Sequence, residues 1–136
     1  MEYSTKEKPD MVGIDFFVDT NFLINVLEEH PKATRIARRL FIFGVSVISE
    51  IELLGKKNIF QNEINIIQGL LDECEIIPLS NEIKDLAILI RQKYSVKTDD
   101  AIIAATAKSF NLPLLTFDKD FKKLEGVVEV VILDLI

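Results

Sequence analysis

Apolar residues along this chain fall into five short runs, separated by stretches with three-and-four spacing. Residues 14–18 are apolar except at Asp15, and the run stops at Asp19. Runs rich in Val, Ile, Leu or Phe recur at residues 44–48, 75–79, 113–117 and 127–133. Short runs that do not alternate with polar residues suit strands buried on both faces. Between them, Phe60, Ile64, Ile67 and Leu71 follow one helix face, as do Ile83, Leu86, Ala87, Ile90 and Tyr94. Pro31 suits a first helical turn and predicts a helix over residues 32–40. A helix over residues 98–107 leads into the fourth run, and a short one over 119–124 follows it. Strands alternating with helices predict βαβ units, and so an α/β class. The expected architecture is a three-layer α/β/α fold around a mostly parallel five-stranded sheet. Residues 1–12 lack periodicity and carry Lys6, Lys8 and Pro9. They are expected to form a flexible tail, with Met11 an alternative start, ahead of a single domain over 13–136.

Composition narrows the classes. A chain of 136 residues, 49% hydrophobic and 28% charged, can bury about two thirds of its unfolded surface and is neither disordered nor collagen-like. One cysteine, Cys74, excludes an internal disulfide, and with His30 the only histidine no His/Cys zinc cage can form within the chain. No apolar run approaches the roughly 18 residues of a membrane span, and the polar first ten residues do not resemble a signal peptide. A reducing, cytoplasmic location without a membrane segment is expected. With 22 acidic against 16 basic residues and a net charge of -6, the surface as a whole is no clamp for nucleic acid, so such contact must be local or bridged by metal. The five glycines are dispersed, which excludes a phosphate-cradling loop and a dinucleotide turn.

The acids are placed more tellingly. Ligands of parallel α/β sheets gather outside the carboxyl ends of the strands. Asp19 ends the first predicted strand, Glu52 lies just past the second, and Asp118 immediately follows the fourth. Asp100 opens the helix that feeds the fourth strand, and for that strand to run parallel the helix must start at the same edge. Four distant segments thus deliver a carboxylate to one place. Like charges so close raise one another's pKa unless a cation sits among them. Mg2+ and Mn2+ take carboxylate and water oxygens and need no His or Cys. Such an ion supports metal-assisted hydrolysis of a phosphodiester.

The segments V-D-T-N-F-L-I, S-V-I-S-E-I-E-L-L-G, D-D-A-I-I-A-A-T-A and L-L-T-F-D-K-D-F resemble, in that order, the signature segments of PIN domains. The likeness is greatest to VapC-type toxin ribonucleases and runs from about residue 14 to the last strand. It implies a metal-dependent endoribonuclease that dimerises and is inhibited by a cognate antitoxin inserting beside or into the active site. The function implied is hydrolysis of RNA by the toxin of a type II toxin–antitoxin pair. Carried over position by position, the catalytic and metal-holding acids are Asp19, Glu52, Asp100 and Asp118, with Asn21 and Thr116 as supporting polar residues. Neighbouring carboxylates leave two alternatives open, Glu50 for Glu52 and Asp99 for Asp100. Spacing from Ser46 favours Glu52, and adjacency to the Ala-Ile-Ile-Ala-Ala run favours Asp100.

Structural readings compete with these. Ser49 and Glu52 fit a capping box, Thr98 could cap a helix with Asp99 and Asp100 in its first turn, and Asp118 could cap residues 119–124. Caps explain each motif singly, but not Asp19 behind a buried strand. His30 reads as a surface residue before Pro31, Cys74 as an inert buried thiol, and Ala104, Ala105 and Ala107 as a close-packing face. Arg35, Arg38 and Arg39, Lys56 and Lys57, and Lys119, Lys122 and Lys123 read as solvated charge or as contacts to RNA phosphates. Phe22, Leu23 and Val26 with Ile36, Leu40 and Phe43 read as core-packing faces, part of which could serve a dimer or an antitoxin. A haloacid dehalogenase-type enzyme needs an Asp where Asn21 stands, and a phospho-receiver needs its paired acids after the first strand. The alternative that remains is a non-catalytic PIN-like, or other α/β phosphate-handling, binding module.

Overall fold

The structure is a computed structural model describing residues 13–134, so the expected tail over residues 1–12 lies outside it. Five strands, β1 (Phe16–Val18), β2 (Phe43–Ser46), β3 (Glu75–Ile77), β4 (Leu114–Thr116) and β5 (Val130–Ile132), form one sheet in the order β3-β2-β1-β4-β5. Every pairing is parallel. Helices α1 (Thr20–Leu27) and α2 (Pro31–Ala37) join β1 to β2, and α3 (Val47–Leu54) and α4 (Gln61–Leu71) join β2 to β3. Helices α5 (Asn81–Lys93) and α6 (Thr98–Ser109) join β3 to β4, and a 3-10 turn, Lys119–Leu124, precedes β5.

Alternation along the strands divides the core between two faces. Phe17 and Leu114 pack with Ile83, Ala87, Ile90 and Ile102 of α5 and α6. Their neighbours Val18 and Leu115 pack on the other side with Phe22, Leu23, Leu53, Ile67 and Leu71. Both faces are therefore covered, which gives the three layers and explains why the strand sequences are continuously apolar. Ala101, Ala104, Ala105 and Ala107 are fully buried, so α6 lies close against the sheet. Gly44 is required by another close approach, because a Cβ there would stand 2.6 Å from the Phe17 ring.

Boundaries differ from expectation where local hydrogen bonds override the apolar pattern. Residues 47 and 48 belong to α3, not β2, because the Ser46 hydroxyl accepts from the Ile48 N–H at 3.1 Å and starts the helix early. Ser49 consequently lies inside α3, and the Ser49–Glu52 capping box does not exist. Thr98 is the first residue of α6 and not its cap; its hydroxyl accepts from Arg91 Nη1 at 2.8 Å. Helix α2 stops at Ala37, which leaves Leu40 fully exposed instead of on a packing face. The fifth run is strand only at Val130–Ile132, since the Val127 and Val128 N–H groups are taken by the Leu124 carbonyl.

Strand order reverses at β1, with β2 on one side and β4 on the other. A crevice opens outside the carboxyl ends of strands at such a switch point. Asp19 and Asp118 stand there.

Candidate active site

Asp19 is the N-cap of α1, a capping role its sequence position did not suggest. Its Oδ1 accepts from the Phe22 N–H at 2.9 Å, and its Oδ2 accepts from the Thr116 hydroxyl at 2.6 Å. Thr116 in turn accepts from the Asp118 N–H at 2.9 Å, so one buried hydroxyl ties the ends of β1 and β4 together. Asp19 is 2% exposed. Burial raises its pKa from 3.8 to about 6 against the pull of those two hydrogen bonds, with Asp118 and Asp100 adding to the rise. Asp118 caps the 3-10 turn by accepting from the Asp120 N–H at 2.9 Å.

Asp100 enters from the first turn of α6. Burial and then Asp99 raise its pKa to about 6; Lys97 opposes this, and Asp118 and Asp120 add to it. Glu52 projects from α3. Its Oε1 accepts from the Thr20 hydroxyl at 2.5 Å. Burial, and then a hydrogen bond with Asp99, push its pKa up to about 7, and that same bond draws Asp99 down. Glu52 and Asp99 are therefore linked across the cleft.

These side chains line a cleft of about 680 Å³ that also contains Thr20, Asn21, Lys56 and Lys97. Asp19, Glu52, Asp100 and Asp118 all reach it, and Glu50 does not line it. Both acids of the other open pair are present, Asp100 interacting with Asp118 and Asp99 with Glu52. Asn21 stands on the rim, where its Oδ1 accepts from Asn25 Nδ2 at 3.4 Å. Of the cleft's two cations, Lys56 pairs with Glu63 at 2.9 Å, which leaves Lys97 facing the acids. Arg35 on α2, and Arg38 and Arg39 just after it, are exposed and lie outside the cleft. His30 is a partly buried N-cap of α2, accepting from the Lys32 N–H.

Sequence reasoning missed Thr20, Ser49 and the Glu52–Asp99 contact. Ser49 and Glu52 are three residues apart in α3 and so share a helix face, which is the one signal available. Nothing in the sequence shows that this face meets Thr20.

Among the described residues no three His, Cys, Asp or Glu side chains stand together so that they could hold a metal ion as a group. The donors are nevertheless all oxygens, and three of them have pKa values raised first by burial and then by neighbouring acids. Mg2+ typically binds through one or two carboxylates plus water. The donor set fits such an ion.

The family model of the PIN domain matches residues 16–127. Among solved structures, a toxin–antitoxin complex from Klebsiella pneumoniae shares 29% identity over 85% of this chain and 95% of that one, with a TM-score of 0.71. DNA-bound VapBC from Salmonella typhimurium shares 19% identity over 90% and 99%, with a TM-score of 0.74. VapBC2 from Rickettsia felis, bound to a promoter DNA fragment, shares 19% over 88% and 98%, with a TM-score of 0.73. No curated protein matches the chain.

Proposed function

This chain belongs to the PIN domain family, and from that premise we propose that it is a Mg2+- or Mn2+-dependent endoribonuclease and the toxin of a type II toxin–antitoxin pair. The observation that carries the reading is the convergence of Asp19, Glu52, Asp99, Asp100 and Asp118 in one cleft at the sheet's switch point. Caps account for Asp19 and Asp118 singly. They do not account for burying Asp19 beside other acids, which opposes its ionisation.

One or two carboxylates from among Asp19, Glu52, Asp100 and Asp118, together with water, would hold the ion. When bound, it acidifies water and offsets charge on the phosphodiester. Asp19 is held in one orientation because each of its oxygens accepts a hydrogen bond. Thr116 keeps Asp118 in register with Asp19 by donating to one and accepting from the other's backbone. Lys97 stands where a substrate phosphate would approach the acids. The cleft is also lined by Ile24, Leu27, Ile66 and Ile67, apolar side chains suited to a nucleobase face.

Antitoxin partnership is supported by the similar folds, whose structures are described as toxin–antitoxin complexes or as VapBC. Exposed apolar side chains outside the cleft, such as Ile51 on α3, offer contact surface to a second copy in a homodimer. No helix among the described residues is long and apolar enough to cross a membrane; a cytoplasmic site of action is part of the proposal.

The test is incubation of purified protein with structured and unstructured RNA, with Mg2+ or Mn2+ and then with chelator, beside Asp19→Asn and Asp100→Asn. Cleavage that needs the ion and is lost in both variants is the expected result. Cleavage that survives chelator or both substitutions overturns the proposal.

A further inference from the structure

Two site acids are each held by a threonine hydroxyl that is itself held. On one side the Asp118 N–H donates to Thr116, which donates to Asp19. On the other, Thr20 donates to Glu52 at 2.5 Å and lies 2.8 Å from the Ser49 hydroxyl. A hydroxyl has one proton to give. Thr20 gives it to Glu52, so Ser49 must be the donor in the second contact. The direction is therefore Ser49 to Thr20 to Glu52.

Neither hydroxyl is placed as an ordinary surface group would be. Ser49 is 0% exposed inside α3, where a serine hydroxyl would ordinarily turn back to a carbonyl of its own helix. It reaches across to α1, 29 residues away. Thr20 is β-branched and sits at the first position of α1, so its χ1 is restricted to two main rotamers, and its contacts with Ser49 and Glu52 select one of them. Glu52, by contrast, is an exposed residue on a flexible stem. Without an anchor it would be the least ordered acid of the cleft.

We propose that Thr20, oriented by the buried Ser49 hydroxyl, is a positioning residue that fixes Glu52 for metal binding. This rests on the metal-dependent reading above and assigns a role to two residues outside the acid set. Groups that orient metal-ligating side chains typically change affinity or activity by about 10- to 100-fold when removed.

The test compares Thr20→Val, Thr20→Ser and Ser49→Ala with Glu52→Gln. Mn2+ affinity is measured by water-proton relaxation without RNA, folding by thermal midpoint, and kcat and KM on RNA separately. Thr20→Val should stay folded, bind Mn2+ about tenfold more weakly, and lose kcat with KM little changed. Ser49→Ala should do the same to a smaller degree, and Thr20→Ser should restore both values. Unchanged Mn2+ affinity in Thr20→Val, while Glu52→Gln is impaired, overturns the relay alone. A defect in Thr20→Ser equal to that of Thr20→Val also overturns it, because serine keeps the hydroxyl on which the relay depends. If Glu52→Gln too leaves Mn2+ binding and cleavage intact, the relay and Glu52's place in the proposed function fall together.

Discussion

Replacing Asp19 with Asn should stabilise the metal-free protein, and more so as pH rises. Asp19 is 2% exposed, and its pKa is raised from 3.8 to about 6. A raised acid holds its proton more tightly in the folded state than in the unfolded chain. Its penalty on folding is therefore absent below pH 3.8, grows up to about 6, and is complete above that. At about 1.4 kcal/mol per pKa unit the ceiling is about 3 kcal/mol. Asn keeps an acceptor for the Phe22 N–H but presents an amide to Thr116, which offsets about 1 kcal/mol. The remaining gain at neutral pH is about 1–2 kcal/mol. Urea denaturation in chelator at about pH 5 and about pH 8 measures it, and the variant's advantage should widen by about 1–2 kcal/mol between the two. Added Mg2+ should then stabilise the wild type more than the variant, because it supplies the missing positive partner. An advantage that stays flat or shrinks towards pH 8 would refute the claim that burial opposes Asp19's charge.

Other outcomes follow from single contacts. Asp100→Asn should lower cleavage by more than about tenfold, and Glu52→Gln should do likewise; Glu50→Gln should be neutral, because Glu50 does not line the cleft. Equal losses for Glu50→Gln and Glu52→Gln in initial-rate assays would contradict that assignment. Gly44→Ala pushes a methyl to 2.6 Å from the buried Phe17 ring and should cost about 1–3 kcal/mol by urea denaturation; an unchanged midpoint would show that the ring has room. Burial pushes the Cys74 thiol up to about 12, so alkylation of the native protein at neutral pH should be slow and should complete only on unfolding. Fast labelling of the native state would contradict that burial.

The sheet was legible because parallel strands are buried on both faces, which leaves uninterrupted apolar runs such as the one ending at Val18. Strand ends were less legible. Val47 and Ile48 have strand-like side chains, yet one hydrogen bond from the Ile48 N–H to Ser46 makes them helix. The acids could be placed at the carboxyl edge because strand direction alone settles which end a flanking residue occupies. How they pair could not, since that depends on contacts across α1, α3 and α6. Thr20 and Ser49 meet over 29 residues of sequence. Asp99, adjacent to Asp100, turns to Glu52 because successive residues of a helix point about 100° apart. Asp19's cap was hidden for another reason: β1 and α1 are separated by Asp19 alone, so the strand's terminal acid is also the helix's first acceptor.

The central claim is that acids from four segments act as one cation site, and Mn2+ diffraction tests it most directly. Crystals with the cleft open to solvent, soaked in Mn2+ and measured at the metal's absorption edge, should show an anomalous peak in the cleft. That peak should lie about 2.1 Å from a carboxylate oxygen of Asp19, Glu52, Asp100 or Asp118, the distance typical of a small divalent ion. A cleft without a peak at saturating Mn2+, or peaks only at other carboxylates, would contradict the account.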